Sequence, residues 1–155
     1  MHATVEIAIL VVIYLDEISI LRKMSTNKVG QILWHDLTVP DATGISDFYQ
    51  AVVGWEREGL SMGDYEDYII KNPSAENEVV AGICHSKGVN ADLPAQWLMY
   101  VTVENLEHSL ETCQKKGGKI IGQKRKMGEG WYCLIQDPAG AYVMLSQVEE
   151  KLDEH

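Results

Sequence analysis

Two short apolar runs hold the side chains of this 155-residue chain that are best equipped for chemistry. In the first, Ile32 to Val39, an indole, an imidazole, a carboxylate and a hydroxyl stand close together as Trp34, His35, Asp36 and Thr38. The second ends in Cys84-His85. A His beside an Asp suggests an acid–base pair or metal ligands, and a Cys beside a His suggests a nucleophile with its base. Alternation of strand side chains sorts these options. Leu33, His35, Leu37 and Val39 share one face, which is mostly aliphatic and suits packing under a helix. His35 is therefore expected as a core or edge histidine before it is expected as a ligand. Ile32, Trp34, Asp36 and Thr38 share the other face, mixing aromatic, carboxylate and hydroxyl groups as a ligand cavity does. Partial burial there would fit Asp36 for general-base work; the plainer role is to pair with an Arg or cap a backbone N–H. Trp34 either stacks on a planar ligand or simply packs. Cys84 and His85 point to opposite faces, so they do not make a nucleophile–base pair, and Cys84, Cys113 and Cys133 are expected as small packing residues.

The elements that position these groups repeat. Thr38 and Thr102, Val39 and Val103, Gln50 and Gln114, and Gly54 and Gly118 each stand 64 positions apart. Each copy opens with a strand, Ile32–Val39 and Trp97–Val103. Asp41 and Asn105 are placed to cap a helix N-terminus. Ile45, Phe48, Tyr49 and Val52 fall on one helical stripe, as do Leu106, Leu110 and Cys113. Gly54 and Gly117-Gly118 end the helices. Three strand-like runs follow each one: 56–61, 65–71 and 78–85 in the first copy, then 119–126, 131–136 and 141–146 in the second. The fold class is thus α+β, two βαβββ modules at 24–88 and 89–147, joined through the Gly, Asn and Pro of 86–95. One such module cannot cover both faces of its sheet, so two are expected to pair. At the 64-residue offset, Leu98, Tyr100 and Thr102 answer Trp34, Asp36 and Thr38. In the last strand Tyr142, Met144 and Ser146 take the cavity side, while Ala141, Val143 and Leu145 take the helix side. Tyr100 and Tyr142 are placed to donate to a bound oxygen or to serve the wall.

The strand ending in Thr38-Val39-Pro40-Asp41, the helix with Phe48-Tyr49 and Gly54-Trp55, the Gly117-Gly118-Lys119 after the second helix and Asp137-Pro138 before the last strand resemble the vicinal oxygen chelate superfamily. This is the glyoxalase, bleomycin-resistance and extradiol dioxygenase group, and the fit is to its small glyoxalase-like subgroup over about residues 30 to 147. The resemblance implies modules curled around a ligand cavity, homodimers in many members, and, in metal-dependent members, His, Gln or Glu ligands on the first and last strands. Carried onto this chain, those positions fall on Trp34, Leu98 and Met144, none of them a good ligand for a divalent ion. The fourth lies between Ala81 and His85, with His85 the nearest candidate, and a slip of one residue would bring in His35.

The formal net charge of −10 argues against nucleic acid and anionic membranes as partners. Three cysteines without CxxC spacing fit a reducing cytoplasm better than a disulfide framework. The apolar run Ile7–Leu15 is too short to span a bilayer, and Glu6, Asp16 and Glu17 flank it unlike a secretory leader. Residues 1–23 read as an extension upstream of a start at Met24, foreign to the native protein on one view, or as an extra packed element. Residues 148–155 form a charged tail. The expected function is metal-free binding of a small, partly aromatic molecule by Trp34, Asp36, Thr38, Leu98, Tyr100, Tyr142 and Met144, with Asp36 the candidate catalytic group and no cofactor. The alternatives are a divalent-metal-dependent lyase or isomerase resembling lactoylglutathione lyase, where His35 and His85 would be the ligands to hand, and a non-catalytic interaction module.

Overall fold

A computed structural model describes residues 28–127 and 130–147 of the chain. The N-terminal extension, the charged tail and positions 128–129 of the Gly128-to-Trp131 turn lie outside the described residues. Among the described residues eight strands and two α-helices follow in βαβββ order, twice. The first set is β1 Ile32–Val39, α1 Ala42–Val53, β2 Glu56–Ser61, β3 Glu66–Asn72 and β4 Glu78–His85. The second is β5 Trp97–Thr102, α2 Leu106–Lys115, β6 Lys119–Met127, β7 Gly130–Gln136 and β8 Tyr142–Gln147. Among the described residues the chain divides into two compact units, Trp34–Leu98, and 28–33 with 99 onward. Residues 30 and 31 join the second unit through hydrogen bonds to Thr102, Gly30 N–H to its carbonyl at 2.8 Å and Thr102 N–H to Gln31 O at 2.9 Å.

In the first set the strand order is β2-β3-β4-β1, and in the second β5-β8-β7-β6. β1 lies parallel to β4 and β5 parallel to β8; the hairpins are antiparallel. A parallel neighbour needs a crossover, and the helix and hairpin between first and last strand supply it. Asp41 Oδ1 accepts from Gly44 N–H at 2.9 Å at the start of α1, and Asn105 Oδ1 accepts from His108 N–H at 3.0 Å at the start of α2. Gly54, at φ 82°, closes α1 in the left-handed conformation that a side chain would strain.

Each helix covers one face of its own sheet. Leu37, Val39, Ala42, Tyr68, Ile70, Ala81 and Ile83 form the core under α1. Leu106, Leu110, Cys133 and Leu145 form the core under α2, with Val101, Ile135 and Val143 against it. The α1 stripe differs from its sequence expectation. Ile45 and Tyr49 pack on the core, but Phe48 is 53% and Val52 63% exposed, and Ala42 and Ser46 are the buried positions. The contact line runs through Ala42, Ser46 and Tyr49, and at about 100° per residue Phe48 falls roughly 130° round the helix from it. Arg57 holds that line. Its Nη1 donates to Thr43 O at 2.9 Å, pairs with Asp47 at 2.7 Å and bonds Ser46 Oγ, while the guanidinium lies 4.7 Å from the Tyr68 ring centre. No helix among the described residues is long and apolar enough to cross a membrane.

Substituting Asp41→Ala removes the cap that starts α1. The urea midpoint is expected to fall by the equivalent of about 1 kcal/mol with an unchanged m-value; an unaltered midpoint would mean that the cap adds nothing.

Candidate functional site

The parallel pairing of β1 with β4 sets the register on which the first unit's site depends. Asp36 stands opposite Gly82, Thr38 opposite Cys84 and Val39 opposite His85. Leu37 and Val39 look toward α1 and Asp36 and Thr38 look away, as alternation requires. Gly82 is bare for a steric reason. A Cβ there would overlap Asp36 Oδ1 and would lie 3.5 Å from Trp34 Cζ2. The carboxylate and the indole therefore occupy the space in which a side chain from β4 would project. An isolated glycine in the strand Val79-Val80-Ala81-Gly82-Ile83-Cys84 is the sequence sign of such a close approach.

β3 adds an acid that sequence reasoning missed. Asp67 is fully buried, and its Oδ1 accepts from His85 N–H at 2.8 Å. His85 Nδ1 lies 3.5 Å from the same oxygen and 2.9 Å from Glu66 O. Oδ2 has no hydrogen-bond partner of good geometry, although the Cys84 thiol lies beside the carboxyl. Burial raises the Asp67 pKa above the ordinary carboxylate value, and the His85 amide opposes the rise. Burial, followed by the charges of Asp36 and Asp67, pushes the Cys84 thiol well up, so this sulfur stays protonated. Asp67 stands next to Glu66 at the border of the apolar run Tyr68-Ile69-Ile70, so the sequence carried no distinct signal for its burial.

In the second unit Tyr100 stands opposite Met144, Val101 opposite Leu145 and Thr102 opposite Ser146. Tyr100 and Tyr132 lie with ring centres 6.2 Å apart. Tyr100, Thr102, Tyr132, Met144 and Ser146 are buried, and the Thr102 hydroxyl has no hydrogen-bond partner. Of the seven residues expected to line a cavity, Asp36, Thr38, Leu98, Tyr100 and Met144 are all 5% exposed or less. Trp34 and Tyr142 keep more accessible surface. His35 is exposed on the helix side of β1, and His85 sits level with Val39, four residues further along. At about 3.3 Å per residue that is roughly 13 Å, too far for the two imidazoles to share an ion. Among the described residues no three His, Cys, Asp or Glu side chains are grouped to hold a metal.

The family model described as Glyoxalase/Bleomycin resistance protein/Dioxygenase superfamily matches residues 28–145. The chain belongs to this superfamily. Two mycobacterial proteins, each named "Putative glyoxylase CFP32", one from Mycobacterium bovis and one from Mycobacterium tuberculosis, are each 24% identical to it over 117 residues. That match covers 74% of this chain and 43% of theirs, so the chain spans less than half the length of these curated relatives. A superfamily member from Vibrio splendidus has the same fold, with a TM-score of 0.50 at 13% identity over 74% of this chain and 97% of that one.

The strand register bears on the fourth ligand position that the resemblance implies for metal-dependent members. Asp36 and Tyr100 are equivalent in the repeat, and they face Gly82 and Met144. The β4 counterpart of Met144 is thus Gly82, not His85. The four positions read Trp34, Gly82, Leu98 and Met144, a set without a nitrogen or carboxylate donor for a divalent ion. These residues do not fit the metal.

Asp67 can be tested through pH. Its raised pKa makes the protonated acid the form the fold prefers, so that contribution is complete below about pH 3.8 and is lost as pH rises through the folded value. Asp67→Asn keeps an acceptor for His85 N–H and removes the charge, and it is expected to gain on the wild type across that window in urea unfolding. Asp67→Ala removes the acceptor as well and should cost about 1–3 kcal/mol. Equal losses for both variants at pH 7 would contradict burial as the dominant influence.

Proposed function

We propose that this glyoxalase-superfamily chain binds a small, partly aromatic molecule on the sheet faces turned away from its helices, without a catalytic divalent metal. One observation carries the metal-free part: the Asp36 carboxylate lies against the backbone of Gly82, where a ligand from β4 would have to project. A lyase or isomerase of the lactoylglutathione type polarises a carbonyl on its ion and needs several convergent donors. Trp34, Gly82, Leu98 and Met144 offer none.

Trp34 and Tyr142 are the accessible members of the expected binding set, so each is the first point on its own unit for a ligand to engage. Stacking suits the Trp34 indole, and the Tyr142 hydroxyl suits a polar substituent. Asp36 would then accept a proton or a hydrogen bond from the bound molecule. The same proposal has the chain acting as a cytoplasmic homodimer, on the strength of three free thiols and of the family habit. A second function, as a non-catalytic interaction module, is favoured by one observation: Asp36, Thr38, Leu98, Tyr100 and Met144 are already buried among side chains of the protein itself.

Elemental analysis of native protein, before and after incubation with Ni, Zn, Mn or Fe(II), is expected to give well under one ion per chain. A thermal-shift screen of aromatic small molecules is expected to find stabilising ligands whose effect is lost in Trp34→Ala. Stoichiometric metal that raises the melting temperature would overturn the metal-free assignment. A screen without any stabilising compound would move the function to the interaction module.

A further inference from the structure

A separate open pocket lies in the first unit, on the helix side of the sheet. His35, Trp55, Val80, Ala81 and Trp97 line a volume of about 340 Å³. Its origin is local. α1 stops at Gly54, and the left-handed turn there brings Trp55 back onto the core. His35 is left exposed although Leu37 and Val39, on the same face of β1, are buried. In β4 the pairing with β3 slips: Ile70 faces Ala81 but Lys71 faces Val79, so Val80 is the extra residue of a bulge. A bulge re-aims a side chain, and here Val80 and Ala81, successive residues, both line the pocket.

The wall is mostly aromatic and aliphatic. Tyr49 lies 5.9 Å from Trp55 and 5.3 Å from Trp97, and the two indoles are 6.0 Å apart at 77°. Trp97 Nε1–H donates to the Tyr49 hydroxyl at 2.9 Å. The pocket therefore offers mostly carbon, with the exposed His35 imidazole as its one ionisable lining group. A volume near the low end of small-molecule sites suits one or two fused rings and is too small for a helix or a protein surface. Ring edges and faces select for aromatic ligands through offset or edge-to-face packing.

We propose that this pocket is a second binding site, for a small planar aromatic molecule that packs on Trp55 and Trp97 and hydrogen-bonds to His35 through a polar substituent. In the second unit Met99 and Lys119 stand at the positions equivalent to His35 and Trp55, so this lining is not repeated there. The site lies on the opposite side of β1 from Trp34 and Asp36 and does not depend on the function proposed for that face.

The test is a titration of the full chain, followed by NMR of the Trp indole and His imidazole signals, with phenol, indole and benzamide as probes and cyclohexanol as the non-aromatic control. The aromatic probes are expected to shift His35, Trp55 and Trp97 saturably, with affinity about five-fold above cyclohexanol. Val80→Phe should fill the pocket and abolish those shifts. His35→Ala, an exposed position, should weaken phenol and benzamide several-fold and indole less. Shifts confined to Trp34, equal affinity for cyclohexanol, or unchanged binding in His35→Ala would each overturn the site. His35→Ala decides the matter should Val80→Phe fail to fold.

Discussion

The approach of the Asp36 carboxylate to the backbone of Gly82 is the constraint on which the first unit's chemistry depends. Two parallel strands stand in a register that sets this pair side by side, and only the absence of a Cβ lets the carboxylate lie there. The resemblance to metal-dependent members implies a metal ligand at this same location. Here the space is taken by an acid from the neighbouring strand, with the Trp34 ring beside it. A glycine in a strand interior sacrifices packing and chain entropy, so its place in β4 reflects the neighbour it has to admit.

The second unit uses the same topology with other contents. Met144 fills the equivalent position, opposite Tyr100, in a wall of buried Tyr, Thr and Ser side chains. The polar residues of the first unit are instead concentrated in β1, β3 and β4, where the charges of Asp36 and Asp67 add to burial in raising the Cys84 thiol. The two units thus differ by side chain while sharing strand order and the parallel pairing of first and last strands. Function in such a scaffold belongs to these local differences and not to the sheet.

Most of the architecture was legible in the sequence because it rests on local chemistry. β1, β2 and β4 have the expected bounds, and Asp41, Gly54 and Asn105 cap as their types require. The face assignments of β1 and β8 follow from simple alternation. What was not legible depended on partners distant in sequence. Ser46 is buried where Arg57, eleven residues on, bonds to it, while Phe48 and Val52 face outward. Gly82 took its meaning only from the register with Asp36, Asp67 only from the His85 amide, and the His35 pocket only from a bulge at Val80.

A double-mutant cycle on Asp36 and Gly82, read by urea unfolding, addresses the central contact most directly. In an open strand position Gly→Ala should stabilise by about 0.5–1 kcal/mol. With the carboxylate in place, Gly82→Ala is expected to destabilise by about 1–3 kcal/mol, and in the Asp36→Ala background that cost should largely vanish. Additive effects, or a Gly82→Ala variant more stable than the wild type, would show that the carboxylate does not occupy that space, and the exclusion of a metal ligand there would lose its physical basis.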